Sequence, residues 1–170
     1  MKYLDTVFRQ LEFAWKLYNY ALDGSIRLEE LDKSLTFQEG YSLLVLQDKL
    51  LNTREDLILA CENNLTIIFG AAAITLNRCR EEAGIGLADP ILTEVDQFSA
   101  VVYQIQNAFA RDIAEPRWNI TNSRYVREYE FGGIRIDLTN VGNKLFEYSD
   151  IGGPENLFWM KHYAERNLWP

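Results

Sequence analysis

From Leu57 to Ala83 an apolar or small side chain returns every three or four residues, through Cys61, Leu65, Ile68, Ala72, Leu76 and Cys79. That is the helical repeat, held for more than seven turns. A helix so long with one apolar side must bury that side, which makes a mainly helical fold the expectation. Thr53 and Asp56, three residues apart, mark its start, because each side chain can satisfy a free backbone donor of the other. Gly84 and Gly86 mark its end. The run Gly70-Ala71-Ala72-Ala73 at mid-helix lets another backbone approach closely, expected within the monomer in preference to a dimer contact.

The partners are legible on either side. Leu4, Val7, Phe8, Leu11, Trp15, Tyr18 and Leu22 form one stripe and predict a helix from Tyr3 to Leu22, stopped by Asp23-Gly24. Asp89-Pro90 reads as the N-cap and first-turn proline of another, whose buried side is Ile91, Val95, Phe98, Val102, Ile105 and Phe109. After Pro116 the period changes to two. Tyr125, Arg127, Tyr129 and Phe131 share one strand face, and Ile134, Ile136 and Leu138 share another. Gly132-Gly133 supplies the tight turn between them. Trp118 and Ile120 read as a further short strand, and Asn156 to Asn167 as a closing helix.

Residues 25–52 stay open, as a small hairpin around Glu39-Gly40 or a short helix through Leu43–Leu46. The expectation is one mainly α domain over 1–170. It has a helical core in 1–113, an appended antiparallel β-hairpin in 116–140 and a terminal helix in 154–168.

Composition narrows the function classes. With 48% hydrophobic and 25% charged residues the chain is ordinary for a globular domain and does not predict disorder. The net charge of −8 opposes nonspecific wrapping of nucleic acid, which phosphate neutralisation drives. No apolar signal core follows Met1, and no run of ~18 apolar residues suggests a membrane span, so a cytoplasmic protein is expected. Cys61 and Cys79 lie on one helix, ~27 Å apart at 1.5 Å per residue, and cannot bond to each other within a chain.

Catalytic and cofactor constellations are sparse. His162 is the only histidine, among aromatics on the terminal helix, so packing or surface is its expected role. One histidine excludes histidine-rich metal sites and weakens Ser-His or Cys-His schemes. No CxxC, phosphate-binding loop or dinucleotide fingerprint occurs. No metal and no cofactor are expected.

One segment stands apart: Gln104-Ile105-Gln106-Asn107-Ala108-Phe109-Ala110-Arg111-Asp112, followed by Glu115-Pro116-Arg117-Trp118. With Gly70-Ala71-Ala72-Ala73, Ile136-Asp137-Leu138-Thr139 and Ile151-Gly152-Gly153-Pro154-Glu155-Asn156-Leu157, it resembles the HEPN family. The likeness covers the chain from about Asp56 onward and is nearest to bacterial HEPN-type sequences. It implies a helical bundle and a homodimer. It also implies a role in toxin–antitoxin, defence or RNA-processing systems, with RNA or a protein such as a nucleotidyltransferase-type antitoxin as partner. The family's signature is an Arg, often followed by Asn, then a His four to six residues on, and it cleaves RNA without metal.

Aligned on Asn107, this chain departs at both catalytic positions, with Gln106 for the Arg and Arg111 for the His. Such cleavage needs a group that exchanges protons near neutral pH and a cation for the charge developing on phosphorus. A guanidinium holds phosphate but keeps its proton, and an amide offers only hydrogen bonds. The resemblance therefore implies a vestigial site of Gln106, Asn107, Arg111, Asp112 and Arg117 that binds without cutting. An active ribonuclease using Asp112, Tyr103 or Tyr129 as proton carriers is the alternative, and a structural helical protein unrelated to RNA is a third. Between positions 111 and 135 five arginines face four acids, a local excess in an acidic chain.

Overall fold

The computed structural model of the chain describes residues 2–31, 35–39, 42–46 and 51–169. It is mainly helical, with helices α1 (Lys2–Asp23), α2 (Leu28–Leu31), α3 (Arg54–Glu82), α4 (Glu94–Phe109) and α5 (Glu155–Asn167). The strands are β1 (Leu35–Glu39), β2 (Ser42–Leu46), β3 (Glu128–Phe131) and β4 (Ile134–Asp137), paired as two antiparallel hairpins. The described residues gather into two compact units, one of Leu11–Leu65 and one of Met1–Gln10 with Thr66–Pro170.

In the smaller unit Ala21, Leu57 and Cys61 form the core, with Leu17, Tyr18, Ile26, Leu28, Leu51 and Ile58 packed on it. Gly24 ends α1 with φ +80°, and the amide of Ser25 donates to Tyr20 O at 2.9 Å. This is the left-handed cap that the Asp23-Gly24 pair predicts. Of the two readings for 25–52 the hairpin holds, with Leu35 opposite Leu46 and Glu39 opposite Ser42. Gly40 lies outside the described residues. Leu22 departs from expectation and is exposed. The buried positions Leu4 and Leu11, then Ala14 and Ala21, recur at seven, a period that drifts about 20° per repeat around a helix. By the last turn the buried side has rotated past Leu22.

In the larger unit the start of α1, the later part of α3, and α4 and α5 are joined through aromatic and polar contacts. Phe8 of α1 meets Phe158 of α5 edge-on at 5.4 Å, Phe69 of α3 meets Phe109 of α4 at 5.7 Å, and Phe98 of α4 meets Tyr163 of α5 at 5.4 Å. Tyr3 of α1 donates to Glu82 of α3. Lys161, nearly buried on α5, sits between Asp5 at 3.0 Å and Glu165.

The capping box that starts α3 is present. Asp56 N donates to Thr53 Oγ1 at 3.1 Å, and Thr53 N to Asp56 Oδ2 at 2.9 Å. By length and composition α3 is apolar enough to cross a membrane, contrary to the expectation that no segment is. Its row Leu65, Phe69, Ala72, Leu76 and Cys79 is buried in protein, as in a core helix, with Phe69 in the place expected for Ile68, which is half-exposed. The row ends before Ala83, which is exposed. Gly84 closes the helix with φ +73°.

The α4 helix begins four residues later than Asp89-Pro90 predicts. Thr93 and Asp96 make a second reciprocal box, Asp96 N donating to Thr93 Oγ1 at 3.1 Å and Thr93 N to Asp96 Oδ2 at 2.8 Å. Asp96 also accepts from Leu92 N at 3.1 Å. A box that satisfies three donors outcompetes a lone Asp-Pro cap. Thr93→Ala is accordingly expected to cost about 1 kcal/mol, measured by urea unfolding, with little change in the folded-state circular dichroism.

In the second hairpin the buried alternation falls on Tyr129 and Phe131 opposite Ile136 and Ile134. Gly132 and Gly133 both have positive φ, at +54° and +79°, as a two-residue turn of this twist requires. The α4 side chains cap the outer side of β3, Gln97 accepting from Glu130 N at 2.8 Å and Glu94 from Gly132 N at 3.2 Å. The predicted strand start is corrected. Tyr125 lies in a 3₁₀ turn (Ser123–Tyr125) and Arg127 is exposed, outside the buried face. The Arg127 guanidinium donates to Ile91 O at 3.2 Å, which turns it out of the alternation. Trp118 and Ile120 form no strand. Next to them Arg117 and Leu145 make one isolated antiparallel bridge.

Candidate functional site

Gln106 and Asn107 lie half-exposed on the last turn of α4. The helix ends at Phe109 with Ala110 as its C-cap, and Arg111 and Asp112 follow on the surface. Asp112 Oδ1 accepts from Ala114 N at 2.9 Å and Glu115 N at 3.0 Å, so its carboxylate shapes the turn. The backbone donors of Glu115 and Ala114 hold Asp112 below the usual carboxylate range. The chain then returns along the helix end: Arg117 N donates to Ala108 O at 3.0 Å, Phe146 N to Pro116 O at 2.9 Å and Trp118 N to Lys144 O at 2.9 Å.

This fixed frame encloses a cavity of about 260 Å³ lined by Arg111, Asp112, Glu115, Arg117, Asn119 and Asn143. Three sequence-predicted residues, Arg111, Asp112 and Arg117, thus come together. Gln106 and Asn107 are not among the lining residues. Asn119 and Asn143 were not anticipated. Asn143 has φ +60°, a left-handed turn that asparagine tolerates, and only the fold brings it opposite Arg111. Trp118, which also lines the cavity, is fully buried and donates from Nε1 to Asp150 at 2.8 Å.

The two cations differ from the other arginines of this stretch. Arg124 pairs with Asp89 at 2.9 Å and Arg135 with Glu130 at 3.1 Å. Arg117 only approaches Glu115, at 3.9 Å, with both side chains more than half exposed, a contact of little energy. Arg111 is exposed, and its side chain makes no hydrogen bond or ion pair among the described residues.

Glu115 also lines a second cavity on its other side, about 240 Å³, whose walls include Pro116, Leu145, Phe146 and Tyr148. Phe146 and Tyr148 are half-buried and pack on Phe69 at 5.6 and 5.0 Å.

The residues considered as proton carriers lie elsewhere or are engaged. His162 is exposed on α5, 3.3 Å from Glu165 and 6.2 Å from the Trp159 ring. Tyr129 is buried and donates to Tyr125 O at 2.9 Å, and burial pushes its hydroxyl up to about 12. Tyr103 packs on Tyr125 at 5.9 Å. Cys61 and Cys79 are buried free thiols, both raised by burial. Among the described residues no group of three His, Cys, Asp or Glu side chains is placed to hold a metal ion. No family model, no curated protein and no solved structure matches this chain.

Proposed function

We propose that this chain is a catalytically degenerate relative of the HEPN ribonucleases, acting as a homodimer that holds single-stranded RNA without cutting it. The observation that carries this reading is the free guanidinium of Arg111 beside the loosely held one of Arg117, in a cavity whose lining has no imidazole. Two exposed cations with the amides of Asn119 and Asn143 suit a phosphodiester, which needs charge and directed donors. Cleavage needs more, a group that releases and takes up a proton near neutral pH. Guanidinium does neither, and Asp112 is spent on the turn that builds the site.

The acidic surface matters too. A net charge of −8 repels nucleic acid at a distance, so affinity rests on a few local contacts. Two neutralised phosphates on a single strand give a log–log salt slope of about −1.4, far shallower than for a basic groove.

The test uses the purified chain with mixed-sequence single-stranded RNA at neutral pH and low salt. Expected are binding with that shallow slope, a loss of about tenfold on Arg111→Ala with the slope reduced by about 0.7, and intact RNA after prolonged incubation. Metal-independent cleavage that disappears with Arg111→Ala would overturn the reading.

A further inference from the structure

Glu115 stands between two cavities of opposite character. On one side are the cations that suit a phosphate, Arg111 and Arg117. On the other is a slot walled by Pro116, Leu145, Phe146 and Tyr148. A nucleotide has the same division, a charged phosphate on one side of the sugar and a flat apolar-faced base on the other. Exposed bases of single strands settle against aromatic and apolar walls and are read on their pairing edges. Resting on the RNA reading above, we infer that the slot takes one base of the bound strand and that Glu115 selects guanine.

The selection follows from hydrogen-bond chemistry. A carboxylate only accepts, through two oxygens side by side. Guanine alone among the four bases presents two adjacent donors, N1–H and the N2 amino group, on its pairing edge. Adenine, cytosine and uracil each place a ring nitrogen or carbonyl acceptor beside a single donor, against the second carboxylate oxygen.

The Glu115 carboxylate is available for this. Its one ion-pair neighbour, Arg117, lies at 3.9 Å with both groups well exposed, and Arg117 turns toward phosphate when a strand is bound. The backbone under it is held from three directions, by Asp112 on Glu115 N, by Phe146 on Pro116 O and by Arg117 N on Ala108 O. A reader fixed in this way discriminates, because a wrong base leaves a lone pair facing a lone pair.

The experiment measures anisotropy of labelled RNA pentamers, oligo-A, oligo-U and oligo-C beside an oligo-A carrying one central G. The G-containing strand is expected to bind about 10- to 100-fold tighter, the discrimination of a good bidentate pair. Glu115→Gln, at a 74% exposed side chain, should fold normally and lose that preference, while Arg111→Ala weakens all four strands alike. Equal affinity for all pentamers, or a G preference that survives Glu115→Gln, overturns the guanine assignment and leaves the RNA reading standing. No binding of any pentamer overturns the RNA reading and this inference with it.

Discussion

Asp150→Ala is expected to lower the stability of the unit containing the cavity by about 3 kcal/mol, read by urea unfolding followed through tryptophan fluorescence. The Asp150 side chain is only 8% exposed and has three partners. Trp118 Nε1 donates to it at 2.8 Å, Lys144 Nζ at 2.8 Å and Glu147 N at 3.0 Å. Trp118 is fully buried, so alanine leaves its indole N–H without an acceptor, at about 1–3 kcal/mol. A buried charge pair broken from one side costs about 3–5 kcal/mol. Lys144 keeps 40% exposure and recovers water, which holds the sum near the lower figure. Asp150→Asn should lose less, since one amide oxygen still accepts from the indole.

The pH dependence distinguishes this account from simple loss of packing. Burial works against ionisation of Asp150, but the hydrogen bonds from Lys144, Trp118 and Glu147 N outweigh it and hold its carboxyl below the usual range. A depressed folded value means the stabilisation is complete above the unfolded carboxyl range, about 3.9, and lost as pH falls through the folded value. The gap between wild type and Asp150→Asn should therefore be widest above about pH 5 and narrow below about pH 4. A gap that stays constant down to pH 2 would exclude the carboxylate as its source.

What the sequence made legible divides along physical lines. Long periodic elements were readable because repetition averages out local exceptions. The α3 row from Leu57 to Cys79 falls where expected except at Ile68, whose place Phe69 takes, and so do the Thr53–Asp56 box and the Gly132-Gly133 turn. Boundaries failed where two local signals competed, as Asp89-Pro90 did with Thr93–Asp96. Trp118 illustrates the limit most clearly. It reads as a strand residue by its alternation with Ile120, yet its surroundings come from Lys144, Phe146 and Asp150, some thirty residues further on. No local period carries such information. The same holds for the cavity. Arg111, Asp112 and Arg117 are close in sequence and were legible as a group. Asn143 reaches the site only because residues 143–146 lie along 116–118, its amide donating to Trp118 O at 3.1 Å.

Gly70→Val is expected to destabilise the protein by about 2–3 kcal/mol, and Gly70→Ala by less but with the same sign. The sign is the informative part. In a helix interior, alanine is about 1 kcal/mol more favourable than glycine, so an open site at mid-α3 would make the alanine variant more stable. The small run Gly70–Ala73 led to the expectation of a close neighbour, and the neighbour is a side-chain wall instead of a second backbone. A Cβ on Gly70 would stand 2.5 Å from Phe109 Cδ1 and 2.9 Å from Ile113 Cγ1. Phe109 has little room to retreat. Its ring is 2% exposed and packs on Phe69 at 5.7 Å and Phe146 at 4.9 Å, and Phe146 packs on Trp118 at 5.3 Å. Overpacking of such a core costs about 1–3 kcal/mol, enough to reverse the propensity gain. The push would also travel to the site, since Phe109 and Ile113 bracket Arg111 and Phe146 walls the slot beside Glu115. Gly70→Ala should thus weaken RNA binding although no lining residue of either cavity has changed. Thermal unfolding sets the outcome: a melting temperature above that of the wild type would mean that the Phe109 ring yields and that glycine at position 70 is not required by packing.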